Sequence, residues 1–302
     1  MIKFEGSMVA LVTPFKAGKI DEAVFRKLID YQIEHGTDVI VPCGTTGESA
    51  TMSHDEHKRL MDIAVEHADG RVPVVCGAGS NCTQEGLGLI QHAKKAGADG
   101  VLVVNPYYNK PTQEGLYRHY EFLAKKVDIP FVLYNIPGRT GINMAPETVA
   151  RLRKNVPNVL AIKEASGSLD QVSQILSICD ITVLSGDDSL TLPMMAVGAK
   201  GVISAAANVL PKQMSDLTHA VLSGNFDRAQ RIHLEIFQLL KLLFIETNPI
   251  PVKTALSMMG LVREEFRLPL CEMTAGNKEK LREALLRAGI IEKKRKPVKV
   301  KS

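Results

Sequence analysis

Short runs of β-branched and apolar residues recur along the chain, each followed by a longer stretch whose apolar residues return at helical spacing. That alternation is the pattern of parallel strands joined by crossover helices. Eight runs read as strands, at residues 8–13, 38–41, 72–76, 100–104, 131–134, 159–163, 182–184 and 201–204. The intervening helices carry start signals. Asp21 stands before Val24, Phe25, Leu28 and Ile29, Ser53 and Glu56 have capping-box spacing, and Thr112 precedes the stretch 116–120. The strand runs are nearly continuous in apolar residues, as in a sheet covered on both faces, and no Gly-rich dinucleotide loop follows the first. An open doubly wound sheet gives similar local signals, but the regular alternation favours an α/β fold of the closed (β/α)8 TIM-barrel type.

Strand signals stop after about residue 222, where 227–245, 252–259 and 277–288 read as helices. The expected division is a catalytic barrel over 1–224, a helical C-terminal extension over 225–291 and a basic, disordered tail over 292–302. The chain's 302 residues can hold one large α/β domain with an appended segment, or two ordinary domains.

Charge adds little once it is located. Of 37 basic and 33 acidic residues, six basic and one acidic lie in 292–302, so the body is close to neutral. A basic tail attracts polyanions. This one has no aromatic residue to stack on bases and no apolar face for a bilayer, so a solvated end is the better reading and neither nucleic acid nor membrane is an expected partner. The apolar run 8–12 has Glu5 before it and Pro14 after it, unlike a signal peptide, and nothing approaches the roughly 18 apolar residues of a membrane span. Five scattered cysteines without a C-x-x-C pair suggest core or near-core thiols, and the expected compartment is the cytoplasm.

In a barrel of this kind reacting groups come from the carboxyl ends of the strands and the loops beyond them. Strand two exits into Gly44-Thr45-Thr46-Gly47-Glu48-Ser49, whose hydroxyls and backbone N–H groups suit a carboxylate, although most Gly/Thr loops are only turns. Strand four leads to Tyr107 and Tyr108, and strand five to Tyr134 and Arg139. A tyrosine there usually packs, and a loop arginine is usually solvated. Strand six delivers Lys163 at its last position, followed by Glu164. A lysine at a strand end commonly just reaches water. One that points inward is desolvated instead, which favours the free amine that attacks a keto carbon, with a tyrosine and a threonine hydroxyl to shuttle protons. His54 and His57 lie three residues apart near a helix start without a third ligand, so no metal site is expected. No phosphate loop or Ser-His-Asp arrangement is present in the pattern, and no cofactor is expected.

Together, Gly44 to Ser49, Tyr107-Tyr108-Asn109, Tyr134 to Gly141, Ile162-Lys163-Glu164-Ala165-Ser166-Gly167, Ser185-Gly186-Asp187-Asp188, Gly201 to Ser204 and Asn248 to Lys253 strongly resemble the 4-hydroxy-tetrahydrodipicolinate (dihydrodipicolinate) synthase family, from about Met8 to the last helix. The resemblance implies a homotetrameric barrel that condenses pyruvate with L-aspartate 4-semialdehyde, the first committed step of the diaminopimelate and lysine pathway. It implies that Lys163 forms the Schiff base and that Tyr134, Thr45 and Tyr108 relay protons, Tyr108 being lent across a tight-dimer interface. Thr45 and Thr46 would hold the pyruvate carboxylate, Arg139 the semialdehyde carboxylate, and Gly186 and Ile203 would line the pyruvate pocket. Ser49, Ala50, His54, His57, Asn81, Glu85 and Tyr107 match the positions that bind L-lysine in feedback-inhibited members. Gly138 stands where the family varies, and the tail has no counterpart.

The nearest rival is a sister aldolase on the same barrel, an N-acetylneuraminate lyase or a keto-deoxy sugar acid aldolase. Paired Thr45 and Thr46, the Arg139-Thr140 pair and the Asn248 to Lys253 segment fit the synthases better. A barrel that has lost catalysis and only senses lysine is a further alternative, against which every catalytic position is filled.

Overall fold

The computed structural model describes residues 3–292; the basic tail, apart from Glu292, lies outside the described residues. Eight parallel strands follow one another: β1 (Gly6–Ala10), β2 (Val39–Val41), β3 (Val75–Gly77), β4 (Gly100–Val104), β5 (Phe131–Asn135), β6 (Val159–Glu164), β7 (Thr182–Ser185) and β8 (Gly201–Ser204). They are ordered β2-β1-β8-β7-β6-β5-β4-β3. A parallel bridge from Ile40 to Val74 joins the two outer strands, and the Gly77 N–H donates to the Pro42 carbonyl at 2.9 Å. The sheet thereby closes on itself, and no edge is left to recruit another strand.

All eight predicted strands exist, 100–104 and 201–204 with the expected bounds and the other six with shifted ends. β1 stops at Ala10, short of Thr13, because the Val12 N–H turns to the Asn208 side chain (3.1 Å) and the Thr13 hydroxyl to the Gly47 carbonyl (2.7 Å). β3 starts at Val75 because the Val74 N–H is taken by Asp99 Oδ2 at 2.8 Å and Pro73 has none to give.

The helices that cover the barrel are α1 (Glu22–Glu34), α2 (His54–Ala68), α3 (Thr83–Ala96), α4 (Gln113–Lys126), α5 (Pro146–Asn155), α6 (Leu169–Ile178), α7 (Thr191–Ala196) and α8 (Pro211–Leu222). Each predicted cap forms. Asp21 and Thr112 accept from the N–H groups of Val24 and Gly115, and Ser53 with Glu56 closes a reciprocal capping box. The extension is α9 (Phe226–Leu242), α10 (Ile250–Met258) and α11 (Ala275–Arg287); α9 packs on α8 and α11, and α10 on α11. A one-turn helix at Pro137–Thr140, begun by a proline at its first position, has no counterpart in the sequence reading.

Two apolar clusters follow from strand alternation. A small one inside the barrel contains Met8, Leu102, Val132, Tyr134, Ala161 and Ile203, and a large one lies between strands and helices. The cysteines divide, which corrects the expectation of core or near-core thiols for two of the five. Cys43 and Cys76 are buried and Cys179 half-buried, whereas Cys82 precedes α3 on the surface and Cys271 lies exposed between α10 and α11. No described helix is long and apolar enough to cross a membrane.

Candidate active site

Lys163 and Tyr134 are paired in register at the carboxyl ends of β6 and β5. Both point into the barrel, 6% and 5% exposed, and the Lys163 ammonium nitrogen lies 4.3 Å from the centre of the Tyr134 ring. The Tyr134 ring thus forms one wall of the place where the amine sits. Gly186, just beyond β7, leaves room for the lysine stem. A Cβ there would stand 3.1 Å from both Cγ and Cε of Lys163 and 2.6 Å from the Ala165 methyl. Ile203 of β8 is 1% exposed and belongs to the same interior cluster.

The loop after β2 is held by its own backbone and by distant side chains. The Gly47 and Glu48 N–H groups donate to the carbonyls of Gly44 (3.1 Å) and Thr45 (3.0 Å), and Thr46 Oγ1 accepts from Asn248 Nδ2 at 2.9 Å. Cys43, in the left-handed region, folds its carbonyl over β3, 2.3 Å from where a side chain of residue 77 would begin; only glycine fits there. Thr46 is buried while Thr45 is half-buried. Glu48 and Lys253 form an ion pair with neither side chain exposed, Lys253 Nζ donating to Glu48 Oε1 at 2.5 Å and to the Glu265 carbonyl at 2.7 Å. Burial pushes the Lys253 ammonium below its ordinary range, and the Glu48 charge opposes that. Arg267 adds a second tie, donating to both Glu56 oxygens (2.8 and 2.6 Å), which holds that carboxyl at about 2.

Arg139, on the one-turn helix, donates from Nη2 to the Asn248 carbonyl at 3.0 Å. No carboxylate among the described residues pairs with it, so its remaining donors are open to a ligand. It borders a cavity of about 400 Å³ whose walls also include Thr45 and Asn248 on the active-site side. Ser49, Ala50, His54, His57, Glu85 and Tyr107 line the same cavity. Lys163, Tyr134, Gly186, Ile203 and Thr46 do not line it. Asn81 stays outside as well, its carbonyl accepting from Asn109 Nδ2 at 2.9 Å.

Within the second group the chemistry is uneven. Glu85 accepts from the Ser80 hydroxyl at 2.8 Å and has no cationic partner among the described residues. His57 is buried, not at the surface as a histidine near a helix start would default to be; its Nε2 meets the Gly77 carbonyl at 2.7 Å and burial depresses its basicity. His54 and Ala50 are exposed. Tyr108 stands apart: 89% exposed at φ +74°, it touches neither cavity nor Lys163 in this chain. Among the described residues no hydrogen bond joins the Tyr134 hydroxyl to Thr45, Tyr108 or Lys163.

Several residues of this end of the barrel had no assigned role in the sequence reading. Lys253 is the clearest. A lone lysine in the apolar helix α10 signals a buried partner, but nothing local points 205 residues back to Glu48. Asp188 is another. Buried at 2% exposure, it accepts from the Ser204 hydroxyl and from the Ala205 (3.2 Å) and Ala206 (3.1 Å) N–H groups; burial raises its carboxyl to about 6, and the Ser204 bond works against that.

The sequence matches the dihydrodipicolinate synthetase family over residues 3–288. The 4-hydroxy-tetrahydrodipicolinate synthase of Geobacter sulfurreducens is 58% identical over 280 residues, which is 92% of this chain and 96% of that protein. The crystal structure of dihydrodipicolinate synthase from Aquifex aeolicus superposes with a TM-score of 0.95 at 50% identity, covering 96% of this chain and 100% of that one. Two further structures have TM-scores of 0.93. The Cyanidioschyzon merolae enzyme with lysine bound is 41% identical (95% and 99% covered), and the chloride-inhibited Acinetobacter baumannii enzyme complexed with pyruvate is 42% identical (96% and 100% covered). With the match running through barrel and extension alike, this chain belongs to the dihydrodipicolinate synthetase family.

Proposed function

We propose that this chain is a Schiff-base-forming lyase that condenses pyruvate with L-aspartate 4-semialdehyde, as its relatives' name implies. The observation that carries the reading is the buried Lys163 amine against the Tyr134 ring, with Gly186 leaving space beside the lysine stem. Lys163 Nζ attacks the keto carbon of pyruvate and water leaves, giving the imine. Loss of a proton from the pyruvate methyl gives an enamine, whose carbon adds to the semialdehyde carbonyl. The semialdehyde's own amine then attacks the imine carbon, closes the ring and frees Lys163. Tyr134, Thr45 and Tyr108 relay the protons, with Tyr108 reaching the site of a neighbouring subunit. Thr45 and Thr46 hold the pyruvate carboxylate, Gly186 and Ile203 line its pocket, and Arg139 orients the semialdehyde through its open guanidinium donors.

The reading extends to assembly and control. Tyr108 is exposed at one place, while Val197 (43%) and Leu234 (65%) are exposed beside and on α9 at another, as two contact faces of a dimer of tight dimers require. L-lysine acts as feedback inhibitor at Ser49, Ala50, His54, His57, Asn81, Glu85 and Tyr107, where the unpaired Glu85 carboxylate suits an ammonium. Residues 1–224 form the catalytic barrel and 225–291 a helical brace for its substrate loop. The free cysteines fit work in the reducing cytoplasm.

The test is turnover of pyruvate with aspartate semialdehyde, N-acetylmannosamine or glyceraldehyde, for the parent and for Lys163→Ala. Condensation with the semialdehyde alone, lost in the variant together with the borohydride-trapped pyruvate adduct, is the expected result. Turnover only with a sugar aldehyde moves the chain to the sister aldolases, and no adduct at all leaves a non-catalytic barrel. Mixed oligomers of Lys163→Ala and Tyr108→Phe chains should exceed either parent in activity if Tyr108 is lent between subunits; no recovery removes that role.

A further inference from the structure

Three neighbouring strands end in the same way. β4 ends in Val104 and is followed by Asn105, β5 ends in Tyr134 and Asn135, and β6 ends in Lys163 and Glu164. Val104, Tyr134 and Lys163 face the barrel interior, so strand alternation sends the next residue of each outward, between barrel and helices. There the polar three are sealed from solvent at 0%, 0% and 1% exposure, beside the large apolar cluster between strands and helices.

They are bonded to one another across the strands. Asn105 Nδ2 donates to Asn135 Oδ1 at 3.0 Å, and Asn135 Nδ2 donates to both oxygens of Glu164 at 3.2 and 3.0 Å. The helices close the ends of the chain of bonds. The Tyr120 hydroxyl of α4 reaches Asn105 Oδ1 at 2.8 Å, and Gln171 Nε2 of α6 donates to Glu164 Oε2 at 3.0 Å. The Ser166 N–H donates to Glu164 Oε1 at 2.7 Å, turning the chain sharply after the strand.

Every partner of Glu164 is a donor, so it is held as an acceptor-only carboxylate, and no cation among the described residues pairs with it. Burying a charge against neutral donors alone is costly, and an apolar side chain of similar volume would fill the place at less cost. Stability therefore does not account for the choice. What a carboxylate adds is a set of charge-assisted bonds, about twice as strong as neutral ones, that stiffen whatever they join. Here they join the backbone immediately after Lys163 to that immediately after Tyr134.

We propose that Glu164, with Asn135 and Asn105, is a positioning set that clamps the ends of β4, β5 and β6 from outside and thereby fixes the direction of Lys163 and Tyr134 inside. None of the three touches substrate. The inference rests on the Schiff-base reading of Lys163.

Glu164→Gln keeps the shape but sets an amide donor among donors. The measurements are kcat, both KM values, the rate of borohydride-trapped adduct formation at saturating pyruvate, and the thermal midpoint. Misdirecting a reacting group by about an ångström costs on the order of a hundredfold in rate, so kcat and the trapping rate should each fall about 30- to 100-fold, while KM values stay within about threefold. Gln171→Leu, which removes one donor to Glu164 together with the Gln171 bonds to Asn143, should lower the same two rates about 3- to 10-fold. The exchange of Glu164→Gln with Gln171→Glu returns a carboxylate to the network and should recover much of the loss. A folded Glu164→Gln protein with parental kcat and trapping rate overturns the proposal; if that variant fails to fold, unchanged rates in Gln171→Leu do so. An absent adduct in the parent itself would instead sink the Schiff-base reading on which this rests.

Discussion

The inner and outer groups at the mouth of the barrel are built in opposite ways. Lys163 and Tyr134 sit on strands, nearly sealed, with their directions set by the sheet ladder and by the network behind it. The outer group sits on loops and first turns of helices, and His54, Glu85, Tyr107 and Tyr108 are exposed. Under the proposed function, the difference suits what each would do. Imine chemistry gains from a fixed amine, since fixed geometry removes the entropy of alignment. A group that must admit and release a soluble ligand, or wait for a neighbouring subunit, has to stay at the surface.

Breaking the tie between the loop after β2 and the helical extension should have the largest effect. Lys253→Met leaves the Glu48 carboxylate buried without its cation, and removing one partner of a buried pair costs about 3–5 kcal/mol. Denaturant unfolding should show that loss, with the loop after β2 the first segment to lose amide protection.

Two buried titratable groups sharpen the contrast, because their pH effects have opposite signs. Asp188, behind the inner group, is raised from 3.8 to about 6 by burial, so the folded state binds more protons than the unfolded between those values. Its contribution is fully present below about pH 4 and is lost as pH rises through 6, roughly 3 kcal/mol in all. His119, behind the outer group, bonds Thr83 Oγ1 at 3.0 Å and is lowered from 6.5 to about 4 by burial. Its contribution is present above 6.5 and is lost as pH falls through 4, also roughly 3 kcal/mol. Stability differences from the parent, measured between pH 4 and 7, should therefore slope in opposite directions for Asp188→Asn and His119→Phe. Slopes of the same sign would refute the assignment.

Gly186→Ala addresses the inner group. The new methyl meets the Ala165 methyl at 2.6 Å and the lysine stem at 3.1 Å, so it should lower kcat by about a hundredfold and cost about 1–3 kcal/mol of stability. Glu85→Gln addresses the outer group alone and is the mildest. It should leave uninhibited turnover near the parental value and weaken inhibition by L-lysine about tenfold, the worth of one charge-assisted contact. If millimolar lysine does not slow the parent, the lysine site is abandoned altogether.

Much of this was legible along the chain because its signals are local. Ser53 and Glu56 announce α2 through a box spanning one turn, and the eight apolar runs announce the strands whatever surrounds them. Strand ends were less legible, because β1 and β3 are terminated by Asn208 and Asp99, residues remote in sequence. The roles of Glu48, Lys253, Asn135 and Glu164 were not legible, since each depends on a partner whose distance in sequence carries no signal.

The pattern along the chain was enough to place Lys163 and Tyr134 at the ends of neighbouring strands and Gly186 shortly after the next. It did not determine which way the lysine points. Val159 faces the helices, and simple alternation from there would turn Lys163 outward as well. The register breaks between Phe131 and Val132, where Leu160 is an extra residue in β6, so that Ala161 and Lys163 point inward instead. An inserted residue reverses the facing of everything after it, and whether one is inserted is decided by pairing with β5, a contact between residues about thirty positions apart. Pattern along the chain placed Lys163 at a strand end; only the closed sheet aimed it into the barrel.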